Sequence, residues 1–152
     1  MAYDASTVAN RFIELANDAS KSLTPMQLIK LSYIAHGFSL AIQKRPLLDE
    51  NIEAWRYGPV IPSLYRRLKK FGSSPITERV SGSFRSNEVL SEEDRQLIDL
   101  VFEKYGRFSG VQLSHLTHRP GTPWAETYEP NSFGIDIDDA IIRTHYATML
   151  NR

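Results

Sequence analysis

Thr24-Pro25-Met26-Gln27 is the passage that most constrains what this chain can fold into. Threonine is a good N-cap, proline suits the first helical position, and glutamine at the third can reach back to the cap. A helix therefore begins here. Leu28, Leu31, Ala35, Phe38 and Ile42 follow at three- and four-residue steps, flanked by Ile34 and Ala41. So wide an apolar stripe predicts a central helix with others packed around it. Lys44-Arg45-Pro46 ends it: basic residues suit the C-terminal dipole, and Pro46 disfavours helix at Arg45.

The same reading extends along the chain. A first helix runs from about Ser6 to Ala19 on Val8, Phe12, Leu15 and Ala16. Leu47 to Trp55 is extended or irregular, with Ile52–Trp55 a candidate short strand, and Gly58-Pro59 turns the chain. A helix then starts near Pro62 with Leu64, Tyr65, Leu68 and Phe71 on one side, and Gly72 closes it. Ile76–Val80 and Ser83–Ser86 flank Ser81-Gly82 and read either as a small hairpin or as a loop. Ser91-Glu92-Glu93-Asp94 opens a helix whose Leu97, Leu100, Val101 and Tyr105 face inward. Ser109 caps a shorter helix carrying Val111, Leu113 and Leu116, and Thr122-Pro123-Trp124 starts a brief one. Asp136, Asp138 and Asp139 favour the N-terminus of a last helix with Ile141, Ile142, Tyr146, Met149 and Leu150. The expected fold class is mainly α: a compact single-domain bundle of about six helices with at most a small β-hairpin.

Eighteen basic residues balance eighteen acidic ones, so no global field draws the chain to nucleic acid or to an anionic membrane. The absence of cysteine excludes disulfides and thiolate metal sites and fits a reducing compartment. No apolar run approaches the roughly 20 residues of a membrane span, and the expected location is cytoplasmic. Walker, dinucleotide and nucleophile-elbow patterns are missing. His115 and His118 share a helical face, yet no third ligand has diagnostic spacing, so neither metal nor other cofactor is expected. One of the two is expected to hydrogen-bond a buried carbonyl near Trp124, leaving the other exposed.

Ile52 to Tyr65 packs two prolines, a glycine, a tryptophan and two tyrosines directly before a basic helix. A rigid backbone with large aromatics and no nucleophile points to a recognition surface. Trp55 reads equally as a core residue and as part of that surface. Tyr57 and Tyr65, with Arg56, Arg66 and Lys69, are the candidate partner contacts, since aromatics and arginine are common hot spots. Trp55, Gly58, Pro59, Pro62, His118 and Trp124 form the candidate scaffold. Arg66, Arg67, Lys69 and Lys70 read either as a solvated face or as a patch for an acidic partner.

Two passages then stand together. One is Leu23-Thr24-Pro25 through Ala35-His36-Gly37, followed by Pro46-Leu47, Glu53-Ala54-Trp55-Arg56-Tyr57-Gly58-Pro59-Val60 and Pro62-Ser63-Leu64-Tyr65. The other is Tyr105-Gly106, Ser109, Leu113-Ser114-His115-Leu116-Thr117-His118 and Pro123-Trp124. In order and spacing they resemble the Panacea antitoxin domain, the family of SocA-like and GepA-like phage-associated proteins, over roughly Thr7 to Tyr146. Ser32, Ile34 and Ser39 depart from its pattern. The resemblance implies a non-enzymatic antitoxin of a type II-like system that binds a cognate toxin. In the SocA-like branch it implies an adaptor delivering the toxin to the ClpXP protease. It also implies one Panacea-like domain over residues 1–152 with no separate N-terminal domain. An enzyme with an unrecognised site and a DNA-binding autoregulator are the competing classes.

Overall fold

Short polar side chains set the helix starts. In the computed structural model, which describes residues 2–81 and 88–150, α1 (Ala5–Asp18) is capped by Asp4 and α2 (Pro25–Ile42) by Thr24. The capping box at Thr24 is complete. Its hydroxyl accepts from the Gln27 amide at 3.3 Å, and the Gln27 side chain accepts from the Thr24 amide at 2.8 Å. Ile61 precedes α3 (Pro62–Leu68) without a side-chain cap, and a 3₁₀ turn, Lys69–Phe71, continues it. Ser91, Ser109 and Thr122 cap α4 (Glu92–Tyr105), α5 (Gly110–His118) and α6 (Pro123–Thr127). The chain closes with α7 (Asp139–Leu150).

As its stripe requires, α2 is the axis of the fold. Every residue from 28 to 41 is buried, with α1, α4, α5 and α7 packed around the helix. Gly37 lets α7 come close: a Cβ there would stand 2.3 Å from the Tyr146 ring. Tyr146 in turn meets Phe38 edge-on at 4.9 Å. Buried His36 ties the same two helices. The Leu48 amide donates to its Nδ1 at 3.2 Å, so Nε2 carries the proton and donates to Asp139 at 2.9 Å.

A small antiparallel sheet lies at one end of α2. It comprises β1 (Glu53–Trp55), β2 (Gly58–Val60) and β3 (Ile135–Asp136) in the order β2-β1-β3. Glu53 pairs with Val60, Ala54 with Pro59 and Trp55 with Gly58.

The structure corrects several expectations. The turn falls at Arg56-Tyr57, and Gly58-Pro59 belongs to β2. Gly58 leaves the turn at φ 124°, which glycine adopts readily, and proline is tolerated on an edge strand. Leu100 and Val111 point outward, 63% and 75% exposed. On α4 the inward stripe runs Asp94, Leu97, Ile98, Val101, Tyr105. On α5 the inward positions are Leu113, Ser114 and Thr117, two of them polar. Phe71 and Leu150 are likewise exposed. Of the hairpin considered for Ile76–Val80 and Ser83–Ser86, the second arm lies outside the described residues. Ile76 bridges to Leu23, and Val80 is held by the Asn10 side chain. Among the described residues no helix is long and apolar enough to cross a membrane.

Candidate functional site

The β1–β2 hairpin is fixed by three side chains on three helices. Each donor meets a carbonyl at the end of β1, in the turn or in β2. Trp55 O receives Trp124 Nε1 of α6 at 2.5 Å. Tyr57 O receives the Ser114 hydroxyl of α5 at 2.7 Å. Pro59 O receives Lys30 Nζ of α2 at 2.7 Å. The turn at Arg56-Tyr57 is thus held by its backbone, leaving its side chains free to face outward.

Behind this row, aromatic contacts fix the donors. His118 packs edge-on against Trp124 at 5.2 Å, and Tyr128 stacks on the indole at 4.6 Å. His118 Nδ1 also bonds the Ser114 carbonyl, while His115 is exposed. Among the described residues no group of three potential ligands could hold a metal ion.

In front of the hairpin lies an apolar cleft of about 700 Å³, within the size range of sites that bind small molecules or side chains. Met26 and Ile29 reach it from α2, Tyr65 and Leu68 from α3, and Phe133 from the loop before β3. Half-buried Trp55 is its centre, with Tyr65 edge-on at 4.9 Å and Phe133 at 5.1 Å. The Trp55 indole donates to Glu53 at 2.9 Å. Trp55 is thus half-buried, with its ring against Tyr65 and Phe133 at the cleft. Tyr57 and Phe133 stand out most, 66% and 80% exposed.

Tyr57, Tyr65, Arg56 and Lys69 come together at this cleft, and Arg66 does not. On a helix, residues four apart share a face. Tyr65 and Lys69 lie on the cleft side of α3 and its 3₁₀ turn. Arg66 and Lys70 lie on the far side, with Arg67, around a separate depression of about 510 Å³. Pro62 starts α3 as expected.

Two residues of the site were missed in the sequence. Phe133 was not singled out, although it is a lone aromatic among Pro130, Asn131 and Ser132. Lys30 was not singled out either, although it sits among apolar residues of α2. It is 3% exposed, and burial pushes its amine down to about 7. Nothing among the described residues neutralises it: its bond to Pro59 is to a carbonyl, and it forms no ion pair with a carboxylate.

The arrangement offers an aromatic surface with basic side chains at its rim. No solved structure matches the chain. A curated relative, Antitoxin SocA of Caulobacter vibrioides (strain NA1000 / CB15N), is 34% identical over 128 residues, covering 80% of this chain and 68% of that protein. The family model described as "Antitoxin SocA-like, Panacea domain" matches residues 28–125, which include most of α2, the hairpin and the indole that pins it. The chain belongs to the SocA-like antitoxin family with the Panacea domain.

Proposed function

We propose that this chain is the antitoxin of a type II-like system, acting as a binder and not as an enzyme, and that it neutralises its toxin by direct contact through the hairpin cleft. One observation carries the reading. The backbone of the hairpin is pinned at three carbonyls, those of Trp55, Tyr57 and Pro59, while Tyr57 and Phe133 on its rim remain exposed. Aromatic anchors on a pre-ordered backbone lose little entropy on association, and a few such residues dominate interface energies. We place the encounter in the cytoplasm, which suits a chain without cysteine.

The test begins with the neighbouring open reading frame, expressed alone and then with this chain. Growth arrest alone and rescue on co-expression are expected. The Tyr57→Ala, Phe133→Ala double variant should keep its circular dichroism spectrum and melting temperature yet lose rescue. A loss of about 2 kcal/mol or more of binding per anchor is the expected scale. Full rescue by a folded double variant refutes the assignment of the neutralising face.

A second reading, delivery of the toxin to a ClpXP-type protease, draws on a separate observation. Exposed Ile42, Leu100 and Leu150 surround another apolar depression, of about 490 Å³. An adaptor needs two surfaces, one for cargo and one for an unfoldase. Toxin half-life in cells with and without the protease separates the mechanisms: protease-dependent turnover supports delivery, and inhibition at unchanged turnover supports blocking.

A further inference from the structure

The cleft has a one-sided charge. Lys30, Arg56 and Lys69 line it, and no aspartate or glutamate does. The chain as a whole balances eighteen cations with eighteen anions, so this imbalance is local and not a reflection of a basic protein. None of the three cations forms an ion pair among the described residues. The Arg56 guanidinium lies over the exposed Tyr57 ring at 5.4 Å. The nearest acid in sequence, Glu53, is occupied by the Trp55 indole. Buried Lys30 has three donors and gives one of them to the Pro59 carbonyl.

An apolar occupant alone would strip water from Arg56 and Lys69 and further isolate Lys30, leaving charges desolvated without a counter-charge. A highly charged polyanion would pair the cations but leave the aromatic walls unused. The occupant that satisfies both features carries a large apolar side chain and a carboxylate close together. We infer that the cleft receives a segment of the partner toxin in which an aromatic or aliphatic anchor lies beside an aspartate or glutamate. The anchor seats against Trp55, Tyr65 and Phe133, and the carboxylate meets the cationic rim. This inference rests on the reading of the cleft as the toxin-binding face and specifies the chemistry of what binds there.

A library of short random peptides displayed on phage, panned against the purified full-length chain, supplies the probe. The enriched peptides should combine Phe, Trp, Leu or Met with Asp or Glu. By fluorescence anisotropy, changing that acid to its amide should weaken binding about tenfold or more, and the effect should shrink as salt rises. Arg56→Glu and Lys69→Glu should each weaken the acidic peptide by about tenfold and restore or improve binding of a peptide with lysine in that place. Both side chains are exposed, so circular dichroism should remain that of the wild type. Lys69→Gln, which removes charge without reversing it, should give a smaller loss.

Absence of any enriched peptide, enrichment of peptides without acids, or affinities indifferent to charge reversal and salt would each overturn the inference. So would a concentration-dependent dimer that Phe133→Asp dissolves, since the cleft would then belong to a second copy of the chain. The two readings separate cleanly. Acidic apolar peptides that bind the cleft, together with rescue that survives cleft variants, uphold this specificity and refute the neutralising face. Rescue lost in cleft variants, with peptides lacking acids, refutes the specificity and upholds the face.

Discussion

Lys30 and Asp94 are both charged side chains removed from water, and their surroundings are opposite. Asp94, at the first turn of α4, accepts from Tyr3 at 2.7 Å, Ser91 at 2.9 Å and Gln43 at 2.8 Å, and pairs with Arg45 at 3.0 Å. Burial raises its carboxyl, but the bonds from Gln43, Tyr3 and Ser91 and the Arg45 charge outweigh burial and hold it below the ordinary value. Lys30 has a single neutral acceptor, and burial moves it to about 7. The comparison separates two uses of a buried charge. Asp94 fastens the N-terminal segment, the end of α2 and the start of α4 to one another. Lys30 weakens the free fold wherever its amine is protonated, and it lies beside the cleft without a carboxylate partner among the described residues.

The largest expected effect lies at Asp94. Asp94→Ala orphans a buried network and should cost about 3–5 kcal/mol in urea unfolding. Because folding depresses the carboxyl, its stabilisation is present above the unfolded value near 3.9 and is lost as pH falls through the folded value. Asp94→Asn should therefore flatten the acid limb of the stability curve. A loss below about 1 kcal/mol for the alanine variant would erase the contrast with Lys30.

Lys30→Met should show the reverse sign. Folding lowers the amine from 10.5 to about 7, so between those values the unfolded chain holds more protons and wild-type stability rises with pH. Methionine removes that dependence. It also leaves the Pro59 carbonyl without a donor, a cost of about 1–3 kcal/mol that does not vary with pH. The readout is thus the change in the gap between variant and wild type, which should shift against the variant by about 2–3 kcal/mol from pH 7 to pH 9. Parallel curves would mean that the amine is not buried as a charge. Where the partner supplies a carboxylate, the same substitution should weaken the complex.

Local chemistry made the helices legible. Thr24, Ser91, Ser109 and Thr122 each announced a helix start by the hydrogen bond the fold makes. The width of the stripe on α2 placed it at the centre. Faces were harder to read. Leu100 and Val111 look like core residues by type, yet neighbours one helical step away won the inward positions. The hairpin turn was displaced by two residues because Gly58-Pro59 has strong turn propensity, and a tertiary bond from Lys30 to Pro59 decides otherwise. Four of five partner candidates converge because they flank one aromatic-rich segment. Arg66 was lost because adjacency in sequence is a 100° rotation on a helix. Phe133 lies 78 residues after Trp55 in sequence, and the pairing of β3 with β1 brings its loop beside that ring.

The smallest expected effect on folding is the sharpest on function. Phe133 and Leu100 are both large apolar side chains left in water, one on the hairpin cleft and one on the α4 face. Neither fills a cavity, so Phe133→Ser and Leu100→Ser should each stay within about 1 kcal/mol of wild-type stability. Their effects on the partner should diverge. Phe133→Ser removes an anchor and should abolish copurification of the toxin. Leu100→Ser should leave copurification intact and, if the α4 face engages an unfoldase, should lengthen toxin half-life in cells. Loss of copurification in Leu100→Ser would move the toxin to the α4 face. Half-lives unchanged in Leu100→Ser alongside full rescue would leave blocking by the hairpin cleft as the whole mechanism, because no second surface would then be required.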